Sequence, residues 1–112
     1  MKFPTVKVCG NTDPKIIKLS IELGARLIGF ILNYPKSPRS ISIDKLKILT
    51  NNIPANIKKV AVMVNPTLTN VKEVSKYCDT IQLHGDEDNS FIERIKKTTD
   101  LDVIKAIKII KK

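Results

Sequence analysis

The stretch Leu27-Ile28-Gly29-Phe30-Ile31-Leu32 is an uninterrupted apolar run, and it gives the most direct indication of the fold. Polar residues, Arg26 and Asn33, bound it on both sides. A short run of this kind is typical of a strand that is buried on both faces of a sheet. Four further runs have the same character: Thr5–Cys9, Lys59–Val64, Thr80–Leu83 and Asp102–Ile107. The sequence therefore predicts five buried strands.

Amphipathic segments separate these strands. Apolar residues recur three and four positions apart in them, Ser42 is placed as a helix cap, and Gly24 is placed as a helix stop. The segments are Pro14–Leu23, Ile43–Thr50, Leu68–Tyr77 and Ser90–Lys97. One helix between successive strands indicates a parallel sheet with right-handed connections. We expect a single α/β domain over residues 1–112, in which strands and helices alternate.

Two α/β architectures fit this alternation. A five-stranded doubly wound sheet of the flavodoxin type closes within about this length, whereas a (β/α)8 barrel has roughly 250 residues. Length alone favours the doubly wound sheet. The segment Cys9–Asp13, which follows the first strand, contains neither the GxGxxG dinucleotide-binding pattern nor a P-loop. Glycine patterns therefore give little support for a nucleotide site.

Charge and composition limit the classes of partner. The chain has 112 residues with 20 basic and 11 acidic side chains, and its formal net charge is +9. Only Arg26, Arg39 and Arg94 are arginines, and lysines dispersed along helices are typical of a solvated surface. Because basic and aromatic residues do not cluster, a nucleic-acid-binding face is not predicted. A positive surface does raise the local concentration of a small anionic, phosphorylated substrate.

The sequence also predicts the compartment. No apolar run approaches the ~18 residues of a membrane-spanning helix, and Met1–Pro4 lacks the apolar core of a signal peptide. Cys9 and Cys78 lie far apart, without a CxxC pattern, and the chain has one histidine. This usage argues against a disulfide framework and against a zinc site. We expect a cytoplasmic protein with no membrane partner and no metal.

Reactive and charged residues follow the predicted strands. They are Cys9 and Thr12 after the first strand, Ser37 and Arg39 after the second, Asn65 after the third, and His84 and Asp86 after the fourth. Parallel α/β proteins bind ligands at this carboxyl edge. Structural alternatives exist: Cys9 as a small buried hydrophobe, His84 as a hydrogen-bonded structural residue, and Arg39 as half of a surface salt bridge. Arg39 is a bidentate donor in a proline-stiffened loop, which suits a carboxylate or a phosphate.

Five segments together carry a resemblance to a known family. They are Val6–Gly10 (VKVCG), Gly29-Phe30 followed by Tyr34–Arg39 (YPKSPR), Val60–Asn65, Gln82–Glu87 (QLHGDE) and Val103–Ala106 (VIKA). In order and spacing they resemble the phosphoribosylanthranilate isomerase family of tryptophan biosynthesis, over essentially the whole chain. That family is a (β/α)8 TIM barrel. The resemblance therefore implies a partial barrel of about five parallel strands and four helices, against the preference from length.

The resemblance also implies an activity, an Amadori rearrangement that needs no cofactor and no metal. N-(5'-phosphoribosyl)anthranilate becomes 1-(2-carboxyphenylamino)-1-deoxyribulose 5-phosphate: the furanose oxygen is protonated as the ring opens, and a proton then leaves the sugar C2. By resemblance Cys9 is the general base, which requires its thiolate form. Arg39 holds the anthranilate carboxylate, and His84 and Asp86 shape the substrate pocket.

Parts of the family pattern have no match among these residues. The family's general acid is an aspartate on strand six, and its phosphate-binding loops follow strands seven and eight, whereas this sequence ends at Lys112. We expect the chain to be the N-terminal (βα)4β5 portion of the isomerase and to be inactive alone. One alternative is a non-catalytic half-barrel module that self-associates through exposed barrel edges or pairs with a C-terminal half. A small flavodoxin-like phosphate binder is the other.

Overall fold

A computed structural model of the chain describes residues 7–8 and 10–105, which contain six strands and four helices. The strands are β1 (Lys7–Val8), β2 (Leu27–Leu32), β3 (Ser40–Ile41), β4 (Lys58–Met63), β5 (Thr80–Leu83) and β6 (Asp102–Lys105). The helices are α1 (Pro14–Glu22), α2 (Ile43–Thr50), α3 (Leu68–Val74) and α4 (Asn89–Thr98). The five predicted strands and four predicted helices are confirmed here, while β3 was not predicted. Parts of the predicted first and last strands, at 5–6, 9 and 106–107, lie outside the described residues.

Each helix begins at a polar side chain that accepts a hydrogen bond from a backbone N–H of its first turn. The caps are Asp13 for α1, Ser42 for α2, Thr67 for α3 and Asp88 for α4, with distances of 2.9, 3.2, 3.1 and 2.8 Å. A side-chain cap satisfies an amide that the helix leaves without a partner, and losing it costs about 1 kcal/mol. These caps fix where each loop after a strand turns into its helix. The longest of these helices, α4, has 10 residues, and in the described part of the chain none is long and apolar enough to cross a membrane.

The sheet is parallel throughout and follows chain order. Its strands are ordered β1-β2-β4-β5-β6, and β3 pairs with the carboxyl end of β2 on the same side as β1. A flavodoxin-type sheet reverses direction, with strand order 2-1-3-4-5. The described sheet has no such reversal, so the doubly wound alternative is wrong. Sequential winding is the arrangement of a (β/α)8 barrel.

One face of the sheet packs against the helices. The register aligns Phe30 with Ala61 and Ala61 with Ile81, and all three side chains are fully buried. They share one core with residues of every helix: Ile17, Leu46, Leu49, Val71, Val74 and Ile95. Right-handed crossovers that always step in the same direction keep their helices on one face of a sheet. The core of this chain therefore occupies that face.

The opposite face is partly exposed towards its carboxyl end, and it is called the open face. Its central row joins Ile31, Val62, Gln82 and Ile104 across four strands. Ile31 and Val62 are half-buried, and Ile104 is 44% exposed. In a closed barrel, side chains of such rows fill the interior. β1 and β6 form the two edges, each pairing with one neighbour within the described residues.

Candidate active site

A cleft opens at the carboxyl edge of β2, β4 and β5. It has a volume of about 440 Å³ and is lined by Ile31, Tyr34, Ser37, Val62, Val64, Asn65, His84, Gly85 and Asp86. Aliphatic side chains of the open face form its floor, and polar residues from the loops after three strands form its rim. Four residues that were predicted from their positions after the strands, Ser37, Asn65, His84 and Asp86, are thus brought together. An apolar floor with a few convergent polar groups is the usual composition of a small-molecule site.

The loop after β2 is held by its own hydrogen bonds. The Ser37 N–H donates to the Tyr34 carbonyl at 3.0 Å, and the Tyr34 N–H donates to Ser40 Oγ at 2.8 Å. Ser37 Oγ accepts a bond from the Arg39 N–H at 3.3 Å. Asn33 starts the loop at φ 51°, a left-handed conformation that asparagine tolerates well. Because the chain turns back and pairs with β2 as β3, the loop presents Tyr34 and Ser37 to the cleft.

Arg39 lies across Gly10, the first residue that the structure describes after Cys9. Gly10 has φ +71°, and a Cβ placed on it would meet Cδ, Nε and Cζ of Arg39 at 3.1 Å. The Arg39 side chain is exposed and forms no ion pair with a described carboxylate. The salt-bridge alternative therefore has no support within the described residues. A guanidinium without a carboxylate partner is free to bind an anionic group in a bidentate way.

His84 faces the cleft beside Gln82. The nitrogen atoms Nε2 of the two side chains are 2.6 Å apart, and the His84 N–H continues the sheet ladder by donating to the Met63 carbonyl at 3.0 Å. The hydrogen-bonded alternative for His84 is thus observed, yet the residue is exposed and lines the cleft. Gln82, which was not predicted as a site residue, fixes the orientation of the imidazole. The spacing of two residues along one strand, which puts both on one face, is the signal that points to it.

Asn65 links the ends of two strands. It adopts φ 45°, and its Oδ1 accepts a hydrogen bond from the Asp86 N–H at 2.8 Å. A side chain on Gly85 would clash with the Asn65 amide, so only glycine fits at that position. The Asp86 carboxylate is exposed on the rim and has no described ion-pair partner. Asn65 therefore sets the backbone of Asp86, which leaves the carboxylate available.

An ion pair between a buried carboxylate and a partly exposed lysine lies next to this loop, and sequence reasoning did not predict it. Lys105 Nζ donates to Glu87 Oε1 at 2.6 Å and to the Gly85 carbonyl at 2.5 Å. The Glu87 side chain is 3% exposed. Burial opposes its ionisation, but hydrogen bonds from Lys105, its own backbone N–H and the Asn65 N–H outweigh that effect and lower the pKa of Glu87 below its ordinary value. Glu87 is therefore a carboxylate.

Of the two cysteines, Cys78 lies among the described residues and Cys9 does not. Cys9 lies outside the described residues, so its role as the general base stays a prediction. Cys78 is buried and unpaired, and burial, with the neighbouring Asp79 carboxylate, raises the pKa of its thiol to about 12. A thiol of that pKa is inert as a nucleophile or base. Among the described residues no group of three or more His, Cys, Asp or Glu side chains could hold a metal ion.

Comparison with known proteins gives a consistent result. A family model described as N-(5'-phosphoribosyl)anthranilate isomerase matches residues 6–112. The N-(5'-phosphoribosyl)anthranilate isomerase of Sulfurihydrogenibium sp. (strain YO3AOP1) is 41% identical over 104 residues, which are 93% of this chain and 49% of that protein. The chain spans about half the length of the curated relatives it matches.

Two solved structures are similar in fold. One is a phosphoribosylanthranilate isomerase in complex with reduced 1-(o-carboxyphenylamino)-1-deoxyribulose 5-phosphate. It has a TM-score of 0.88 and 32% identity, and the match covers 96% of this chain and 55% of that one. The other contains monomers generated from the dimeric isomerase of Thermotoga maritima. Its TM-score is 0.86 at 31% identity, and the match covers 97% of this chain and 56% of that one.

Proposed function

The chain belongs to the N-(5'-phosphoribosyl)anthranilate isomerase family, and from this we propose that it forms the anthranilate-binding part of an isomerase site. The observation that carries the proposal is the contact between Arg39 and Gly10. It puts an unpaired guanidinium beside the residue that follows Cys9, at the sheet edge where the cleft also opens. An aminobenzoate substrate requires a group that can donate hydrogen bonds to its carboxylate, and the Arg39 guanidinium is such a group.

The chemistry assigns a role to each residue. Arg39 binds the anthranilate carboxylate, and the Cys9 thiolate removes the proton from the sugar C2. Base catalysis by a cysteine requires its thiolate form, whereas the ordinary pKa of a free thiol is about 8.5. His84 and Asp86 contact the sugar part of the substrate from the opposite rim. Proton transfers of this kind require neither a cofactor nor a metal, and the proposed setting is the cytoplasm.

Two further functions complete the reaction, a general acid and a phosphate-binding site. We assign both to a segment that corresponds to the other half of the relatives, whether on the same polypeptide or on another. The open face and the two sheet edges support this assignment, because Ile104 is 44% exposed and unpaired strand edges accept further strands. The same features favour a second candidate function, a non-catalytic half-barrel module that self-associates. The dimeric relative of known structure is compatible with either.

Binding separates the two candidates. We expect the chain to bind reduced 1-(o-carboxyphenylamino)-1-deoxyribulose 5-phosphate in a calorimetric titration, and Arg39→Ala to weaken binding about 10- to 100-fold, since a hydrogen-bonded charge contributes about 1.5–3 kcal/mol. Arg26→Ala is the matched control. Arg26 lies directly before β2, at the amino edge of the sheet, whereas Arg39 lies in the loop after β2, at the carboxyl edge. Equal affinities of both variants and the unmodified chain would exclude the assignment of Arg39. The absence of any binding would favour the module.

A second test measures activity when another polypeptide supplies the general acid and the phosphate-binding site. We expect that co-expression with the carboxyl-terminal half of a relative restores growth without tryptophan in a bacterial strain that lacks the isomerase. The amino-terminal half of the same relative, expressed in place of this chain, is the positive control. Growth with that control but not with this chain would contradict the proposed function.

A further inference from the structure

We propose that Glu87 and Lys105 are positioning residues that fix the loop carrying His84 and Asp86, an inference that rests on the proposed function for the meaning of that loop. Neither residue lines the cleft. Their bonds instead reach the backbone of Gly85, which lies between the two site residues, and the backbone of Asn65, whose side chain bonds Asp86. We refer to the hydrogen-bonded group of Glu87, Lys105 and Asn65 as the interlock.

Lys105 holds the loop from the face of the sheet that packs against the helices. The register aligns Lys105 with Leu83, a member of the core on that face. His84 follows Leu83 directly and, like Gln82, belongs to the open face. Gly85, whose carbonyl accepts the bond from Lys105 Nζ at 2.5 Å, comes next. The ammonium group therefore holds the chain immediately after the imidazole-bearing residue without competing for space in the cleft.

Glu87 connects the loop to a third strand end. Its Oε1 accepts from Lys105 Nζ at 2.6 Å, and its Oε2 accepts from the Asn65 N–H at 2.8 Å. Asn65 in turn accepts from the Asp86 N–H through Oδ1 at 2.8 Å. The ends of β4, β5 and β6 are thus joined by consecutive hydrogen bonds. Displacement of any one of them moves the backbone that carries Asp86.

The energetics favour a positioning role over a role in general stability. Burying a charge pair costs desolvation energy, and an apolar pair of similar volume often stabilises a fold as well or better. What an ion pair adds is directional geometry, and here every described bond of the pair ends on the loop, on the adjoining strand end or on the partner charge. The sub-ångström placement that catalysis demands is commonly set by such supporting hydrogen bonds.

A second lysine provides a matched control. Lys59 on β4 also donates to a backbone carbonyl, that of Ile57 at 3.2 Å, and pairs with a carboxylate, Asp79 Oδ2, at 3.6 Å. Its bonds lie at the amino edge of the sheet, remote from the cleft. Lys59→Met and Lys105→Met remove the same chemistry from a strand, but only Lys105→Met removes the interlock.

The experiment measures amide exchange and the His84 ring by NMR in the 112-residue chain. In Lys105→Met we expect the exchange rates of the Asn65 and Asp86 N–H groups to rise about tenfold, the effect of losing one modest hydrogen bond. The chemical shifts of the His84 ring should also change, and Lys105→Arg should restore both readouts. Lys59→Met should leave the exchange rates and the ring chemical shifts as in the unmodified chain, whatever it does to the unfolding temperature.

Unchanged exchange rates and unchanged His84 ring chemical shifts in Lys105→Met, with only a lower unfolding temperature, would overturn the proposal. Should Lys105→Met fail to fold, Glu87→Gln decides by the same readouts, since it retains size and removes the charge. Reduced 1-(o-carboxyphenylamino)-1-deoxyribulose 5-phosphate, the reduced product analogue, is titrated in parallel. We expect Lys105→Met to bind this analogue about tenfold more weakly than Lys59→Met does. If the unmodified chain does not bind the analogue, the proposed function fails, while the exchange rates and the ring chemical shifts still decide the role of the interlock.

Discussion

The side chain of Arg39 lies against the backbone of Gly10, and both this close approach and the positive φ of Gly10 favour glycine at position 10. A Cβ on Gly10 would lie 3.1 Å from three atoms of Arg39, and φ at Gly10 is +71°. A nearby bond secures the same loop, since the buried Asn11 donates from its backbone and side chain to the Gly29 carbonyl at 3.2 and 2.9 Å. The turn after β1 is thereby fixed to β2, and the guanidinium lies over that turn.

Gly10→Ala should therefore lose both stability and substrate affinity. The left-handed conformation costs a non-glycine residue about 1–2 kcal/mol, and the new methyl group displaces Arg39. Gly24→Ala is the matched control, because Gly24 also has a positive φ, +105°, but a Cβ there meets nothing within 4 Å. We expect both variants to unfold at lower temperature in calorimetry. Only Gly10→Ala should bind the reduced product analogue more weakly, and equal binding by both would contradict the proposed placement of Arg39.

The two cysteines should differ in reactivity. Cys78, with its pKa raised to about 12, should resist iodoacetamide at pH 8 in the folded chain and react only after denaturation. A Cys9 thiolate stabilised for base catalysis should react faster than a free thiol of pKa about 8.5. Mass spectrometry of labelled peptides measures both, and Cys9→Ala should leave the folded chain unlabelled. If Cys9 reacts no faster than an unstructured thiol, it belongs with the packing residues.

Cys9→Ala tests the catalytic role separately. In the co-expressed, completed enzyme we expect it to abolish turnover and to change the unfolding temperature little, because general base catalysis contributes about 10²–10⁴-fold to a rate. Fluorescence of the anthranilate group follows the reaction. Activity within a few fold of the unmodified enzyme, accompanied by a lower unfolding temperature, would reassign Cys9 to packing.

Sequence patterns predicted what depends on local periodicity. β2, β4 and β5 could be predicted because buried parallel strands have continuous apolar sequences. α2 could be predicted because Ser42 is a recognisable helix cap. β3 has two residues, one of them a serine, and gives no such pattern. The contacts between Arg39 and Gly10 and between Glu87 and Lys105 depend on strand order and register, which periodicity does not encode. Some residues that line the cleft, such as His84 and Asp86, could be named from the sequence, but the bonds that hold them could not.

Glu87 should contribute to acid sensitivity. Its pKa in the folded chain lies below the ordinary 4.5, so its stabilising effect is present above that pH and is lost as pH falls through the lowered value. Between pH 7 and pH 3 we expect the free energy of unfolding to decrease more steeply for the unmodified chain than for Glu87→Gln. Urea titrations across this range measure it. Glu73→Gln is the control, since the exposed pair of Glu73 with Lys76 contributes at most about 1 kcal/mol; a Glu87→Gln profile parallel to that of the unmodified chain would contradict the prediction.

Exposed apolar side chains and an exposed strand edge predict that the chain associates with itself. Ile104 on the edge strand β6 is 44% exposed, and the edge itself pairs with one neighbour within the described residues. Ile16 and Leu19 on α1 are 52% and 50% exposed, and Leu23, which caps the carboxyl end of that helix, is 80% exposed. Contiguous apolar surface and an unpaired strand edge both promote association. We expect the 112-residue chain to form a homodimer or a larger oligomer in sedimentation equilibrium.

One substitution tests whether the edge strand and the open face carry this association, and a second serves as its control. Ile104→Lys places a charge on the edge strand and the open face, a common natural means of blocking edge pairing, and should shift the equilibrium towards the monomer. Ile48→Lys alters a residue of α2 that is 68% exposed and should leave association unchanged. If instead the unmodified chain sediments as a compact monomer at every concentration and unfolds cooperatively, the open face is covered within the chain itself. Addition of the complementary half of a relative would then produce no heterodimer, which distinguishes self-covering from a pairing surface that awaits its partner.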